Sequence, residues 1–263
     1  MLESEKLARH ALSELNLPQT KDHKTILEAF MKTGLPIKEE LIASLMRTYG
    51  SLASRDKVAA RVLALLADKG LLPAPEDAEK LVRAVTDPLS EKRRDQGKKR
   101  EHGGQDRGTR HRQRKNARSI RSADIRTAAE RTWDSGGLLS LFNHVRGGHD
   151  HWVVIPFSLE GREETLVLRC CMGRDDRIRR YTLSVYGEHS WHFEGRRSGK
   201  SHRIVVYCSD KKIRGDSHDV IERLRKKLGN LSLEIDDTIR EVSGFDPFVS
   251  DHITDSHGVD TRV

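Results

Sequence analysis

His151-Trp152-Val153-Val154-Ile155-Pro156-Phe157 is the stretch that decides the fold. A Trp, three β-branched residues, a Pro and a Phe fall together between Gly147-Gly148 and Gly161. Such a run reads as a largely buried strand, entered from a Gly turn and stopped by its Pro. It is the most apolar point of the second half of the chain. Upstream, apolar residues recur with a helical period; from Trp152 onward the period becomes two.

Downstream, strands are predicted at Trp152–Pro156, Thr165–Cys171, Tyr181–Tyr186, Ser190–Phe193 and Arg203–Cys208. Turn clusters at Glu160-Gly161, Gly173–Asp176, Gly187-Glu188 and Ser198-Gly199 separate them, and such short connections suit antiparallel hairpins. A helix follows over Ser217–Leu228, with Val220, Ile221, Leu224 and Leu228 inward, and Gly229 ends it. Leu231–Ile235 alternates as a short strand, Asp236–Val242 reads as a short helix before Gly244, and Val249–Val263 as a frayed polar tail.

Upstream, residues 1–89 read as five amphipathic helices. Their stripes are Leu2, Leu7, Ala8, Ala11, Leu12 and Leu15; Ile26, Leu27 and Phe30; Leu41, Ile42, Leu45, Met46 and Tyr49; Val58, Val62, Leu63 and Leu66; and Ala78, Leu81, Val82 and Val85. Ser54 is the expected cap of the fourth. Leu17-Pro18, Leu35-Pro36 and Leu72-Pro73 each precede a helix, and Gly34, Gly50 and Gly70 follow one, as the backbone limits of Pro and Gly require.

Between the two halves lies a basic tract. Residues 90–121 hold 13 Lys or Arg against 4 Asp or Glu, a local +9 in a chain of net +8, so the remainder is nearly neutral. Ala117 is the only aliphatic side chain from 90 to 118, too little apolar surface to offset the entropy of ordering. The expected organisation is a helical domain (1–89), a flexible basic linker (90–121), an α+β module (122–248) with a small, mostly antiparallel sheet and one packed helix, and a tail (249–263). A weak helix is expected at Ser122–Trp133, with an apolar patch of Leu138, Leu139, Leu141 and Phe142 after it.

Motifs for chemistry are sparse. The chain carries no Gly-x-Ser-x-Gly elbow, phosphate loop or Gly-x-Gly-x-x-Gly fingerprint. Cys170, Cys171 and Cys208 lack framework spacing and read as reduced thiols, with Cys170 and Cys171 on opposite faces of a strand. His144, His149, His151, His189, His192 and His202 lack ligand spacing and read as surface histidines. The expectation is a protein without catalysis, cofactor or metal. Lys98, Lys99, Arg100, Arg112, Arg114 and Lys115 could contact phosphates, which makes nucleic acid the alternative partner. The N-terminus lacks an apolar signal region and no run approaches the ~20 residues of a membrane span, so a soluble cytoplasmic protein is expected.

Three segments carry a resemblance. Leu15-Asn16-Leu17-Pro18, Ile26–Phe30 and Gly34-Leu35-Pro36-Ile37 resemble the helical segment of flagellar hook-length control proteins of spirochaetes and clostridia. Trp152–Phe157 is similar to the strand that opens their C-terminal domain. The Val220–Leu228 helix, Leu231–Ile235 and Gly244-Phe245-Asp246-Pro247-Phe248 are similar in layout to that domain's finish. The resemblance spans about 15–50 and 138–248. It implies a non-enzymatic protein, passed through the flagellar type III apparatus, whose C-terminal module docks on the export-gate switch protein and changes export specificity. Beside it, the exposed face of the sheet and the Pro247 knob nominate Leu183, Val185, Trp191, Phe193, Phe245 and Phe248 as protein-binding residues, the last two also being candidates for core.

Overall fold

The computed structural model describes residues 2–89, 137–148, 151–158, 164–198, 201–228 and 233–248. The expected linker, the Ser122–Trp133 helix, His149 and the 249–263 tail lie outside them. Five helices come first: α1 (Leu2–Glu14), α2 (Lys21–Thr33), α3 (Glu39–Gly50), α4 (Lys57–Asp68) and α5 (Pro75–Thr86). A short α6 (Leu138–His144) leads into β1 (His151–Ser158), β2 (Thr165–Met172), β3 (Ile178–Tyr186), β4 (Trp191–Ser198) and β5 (Ser201–Cys208). Then come α7 (Lys211–Gly215), α8 (Ser217–Leu228), β6 (Leu233–Glu241) and one 3-10 turn, Val242–Gly244. The fold is α+β.

The helix ends follow local chemistry. Thr20 caps α2 by accepting from the His23 N–H, and Gly34 closes it at φ 73° while the Leu35 N–H returns to the Phe30 carbonyl. The cap of α4 is Asp56, which accepts from the Ala59 N–H at 2.8 Å; Ser54, the expected cap, donates to the Asp56 carboxylate instead. From Ala59 to Leu66 every residue of α4 is buried, and a helix apolar nearly all round belongs at a centre. Leu7 departs from its expected stripe: it is 60% exposed, while Ala8 and Leu12 face the core.

Strands β1 to β5 form an antiparallel meander, and β6 pairs with β5 in parallel after crossing through α7 and α8. Opposed residues share a side, so the register divides the sheet into two faces. On the inner face Trp152, Val154, Val167 and Cys171 join the helical core. On the outer face Val153, Ile155, Cys170 and Met172 cluster at one end, and Ile204, Val206, Cys208, Ile235 and Ile239 pack with Ile221 of α8 at the other. Cys170 and Cys171 thus point to opposite faces, and none of the three cysteines forms a disulfide.

β1 is an edge strand, and its free side is occupied. The Asn143 side chain of α6 donates to the Val154 carbonyl at 2.8 Å and accepts from the Val154 N–H at 2.7 Å. Pro156, two residues on, has no N–H to leave open on that side. At the other end the expected Asp236–Val242 helix is wrong: Asp236 to Glu241 extend β6, and Val242 opens the 3-10 turn. Ile235 and Ile239 alternate toward α8, Asp236 binds Arg203 of β5 and Arg240, and Asp237 binds Arg225 of α8, so the acids tie β6 to its neighbours rather than start a helix.

The chain then folds back across the inner face. Phe245 stacks on His192 with ring centres 4.3 Å apart, the Pro247 carbonyl accepts from the Thr182 hydroxyl at 2.9 Å, and Phe248 meets Trp152 edge-on at 5.4 Å. The Phe248 carbonyl accepts from Arg61 Nε and Nη2 at 3.4 and 3.3 Å. Arg61 also donates to Thr33 Oγ1 and the Ala29 carbonyl at the end of α2. Arg169 lies over the Phe248 ring and donates to Ser184 Oγ and the Thr86 carbonyl. Helices, sheet and C-terminal segment share one core.

Phe248→Ala removes a fully buried ring, so it should lower unfolding free energy by about 3–5 kcal/mol in urea titration. An unchanged midpoint would mean that the segment does not close the core.

Candidate docking site

The outer face of β3 and β4 is where the structure gathers half-buried apolar side chains. The register opposes Leu183 to Phe193 and Val185 to Trp191, and all four are half-buried. The Trp191 and Phe193 rings are nearly parallel, 6.5 Å between centres. Beside them Trp191, Ile213, Val220 and Leu224 line a groove of about 400 Å³ whose rim carries Arg223 and Lys227.

The groove wall is held from several sides. Asp210 caps α7 by accepting from the Lys212 and Ile213 N–H groups, and these bonds hold its carboxyl below the ordinary value. Arg214 fastens α7 to β5 through the Cys208 and Ser209 carbonyls at 2.8 and 2.9 Å. Ile221 turns α8 toward the sheet, and Arg225 ties it to the Ile235 carbonyl at 2.7 Å and to Asp237. Val220 and Leu224, half-buried against the cluster beneath α8, are therefore held on a fixed element with one side in the groove.

Of the six candidate contact residues, Leu183, Val185, Trp191 and Phe193 come together here. Phe245 and Phe248 lie on the opposite face, Phe248 with 0% exposure. The period of α8 already marked Val220 and Leu224. Ile213 had no such signal, because α7 is only five residues long, and Arg223 and Lys227 become rim residues only once α8 is oriented. Lys98, Lys99, Arg100, Arg112, Arg114 and Lys115 lie outside the described residues.

The histidines separate. His144 is exposed, His151 meets the buried Lys69 (Nδ1 to Nζ 3.1 Å), and His189 sits 3.5 Å from Asp210. His192, expected at the surface, is buried, because the returning Phe245 covers it. Burial, helped by the Arg169 charge, lowers its pKa to about 4. Burial likewise lowers Lys69 to about 7, with its ammonium donating to the Val145 carbonyl. Among the described residues, no group of three or more His, Cys, Asp or Glu could hold a metal, and no helix is long and apolar enough to cross a membrane. No protein-family model matches the chain, and searches of curated proteins and solved structures return no significant match.

As pH falls below 6.5 the unfolded chain protonates this histidine before the folded one does, so stability is lost between about pH 6.5 and 4. His192→Phe should reduce that acid-induced loss by about 2–3 kcal/mol in urea unfolding at the two pH values. Superimposable pH profiles for the two proteins would contradict this origin of acid lability.

Proposed function

We propose that this chain acts by docking, its outer sheet face taking an apolar, acid-flanked segment of a partner protein. The observation that carries the reading is the patch of Leu183, Val185, Trp191 and Phe193 continuing into the groove beside α8. Contiguous apolar surface with a polar rim marks recognition surfaces on soluble proteins. Its centre is a Trp, the residue type most enriched among binding hot spots. The rim supplies Arg223 and Lys227, so acidic residues flanking the apolar segment meet complementary charge.

The resemblance to hook-length control proteins names the partner class: the cytoplasmic part of the flagellar export-gate switch protein. In this reading the chain ends hook-type export by occupying the gate, and no bond is made or broken on its surface. The nucleic-acid alternative rests on the 90–121 tract.

Titrating the full chain with the cytoplasmic part of an export-gate switch protein should give saturable binding. Trp191→Ser and Leu224→Glu, both on half-exposed positions, should each weaken it by roughly thirtyfold, as loss of a hot spot near 2 kcal/mol does. Binding unaffected by either substitution would rule out this face. Short DNA bound tightly at about 150 mM salt, and released when the six basic residues of the tract are neutralised, would favour the alternative.

A further inference from the structure

A second concavity lies on the opposite face of the sheet, away from the docking groove. Glu194, Arg196, Arg203, Val205, Tyr207 and Arg240 line a cavity of about 320 Å³ over β4, β5 and β6. Its composition is unusual for a sheet face. Arg180, Arg196 and Arg203 are directly opposed across β3, β4 and β5, and Arg240 stands opposite Tyr207 two residue pairs further along. Like charges directly opposite one another on a sheet are destabilising unless anionic charge lies between them.

The acids present orient these guanidiniums. Arg196 Nε contacts Glu194 at 3.0 Å, Arg203 Nε contacts Asp236 at 3.0 Å, and Arg240 Nη2 contacts the other Asp236 oxygen at 2.8 Å. The Tyr207 hydroxyl donates to the second Glu194 oxygen at 3.2 Å. Glu194 is buried between its two partners, and Asp236 joins Arg203 to Arg240 at the edge of the lining. Three guanidiniums against two carboxylates, Glu194 and Asp236, leave one positive charge over among these five groups. The donors come from three strands. A planar carboxylate is satisfied by one guanidinium fork, whereas a tetrahedral oxyanion offers oxygens in several directions at once. The volume exceeds that of a bare ion and falls at the lower end of small-molecule sites.

We propose that this cavity binds the phosphoryl group of a small phosphorylated molecule, held by Arg196, Arg203 and Arg240, with Val205 and Tyr207 flanking its organic part. The site is independent of the docking groove: one face recognises a protein, the other senses a soluble anion. Tyr207 suits such a wall, because burial and the neighbouring Glu194 push its pKa up to about 12 and keep the hydroxyl protonated.

Calorimetric titration of the full chain with adenosine monophosphate and with inorganic pyrophosphate, at about 150 mM salt to suppress binding to scattered surface charge, tests this. Adenosine serves as the phosphate-free probe. The wild type should bind at least one phosphorylated probe saturably and adenosine not at all. Arg203→Gln combined with Arg240→Gln should weaken binding by at least about tenfold, the loss expected for charge-assisted hydrogen bonds. Val205→Trp, which fills the cavity while keeping every arginine, should weaken it comparably; neutralising Lys98, Lys99 and Arg100 should leave it unchanged. Circular dichroism confirms that each variant is folded, and if the double arginine variant is not, Val205→Trp decides. Absence of saturable binding to both phosphorylated probes at millimolar concentration overturns the proposal. So does binding that survives Val205→Trp, or that disappears when only the basic tract is altered.

Discussion

A buried guanidinium must be given acceptors, and the way Arg61 obtains them fixes the rest of the molecule. It sits inside a helix otherwise lined with Ala, Val and Leu, where an unbonded charge would cost several kcal/mol. Its acceptors are the last turn of α2, where carbonyls face the negative end of the helix dipole, and the carbonyl of Phe248. Residues 187 positions apart are thereby held at one point. The C-terminal segment cannot leave without stranding that charge, and the helices cannot leave the sheet without exposing Trp152. Closure of the chain is therefore a condition of the core rather than a late addition to it.

The same closure explains why the two faces of the sheet differ. The returning segment and the helices cover the inner face from β1 to the start of β4, and its polar strip is buried there: Arg169, Arg180, Thr182, Ser184 and His192. Beyond the reach of Phe245 the strip opens into the arginine-lined cavity. On the outer face the long cover is α8, which reaches β5 and β6, and the apolar surface of β3 and β4 continues past its edge. Each candidate site is thus the part of a face that lies just beyond its cover.

Much of this was legible in the sequence, and the rest was not for identifiable reasons. The stripes of α2, α3, α5 and α8 are regular, and Gly and Pro mark their ends, so period alone recovers them. The strands from Trp152 to Cys208 alternate clearly and are cut by Gly-containing turns. Asp236 to Val242 misled because adjacent acids resemble a helix start; their partners, Arg203, Arg225 and Arg240, are assembled only by tertiary contact. His192 looked like a surface residue because what buries it is Phe245, from more than fifty positions away. The arginine cavity had no sequence signature at all, since a strand face is read across strands and its neighbours are scattered along the chain.

One amide on α6 has an effect that reaches beyond the fold of a single molecule. A strand at the margin of a sheet is a template for the next strand, whether that strand is its own or a neighbour's. On β1 the outward N–H and C=O of Val154 are already bonded to Asn143, and Pro156 offers no donor further along. The sheet is therefore blocked at the middle of its first margin by a side chain imitating a backbone. Copies of the chain crowded together meet an edge whose central rung is taken and whose next donor is missing, so the identity of one residue bears on colloidal behaviour as much as on folding.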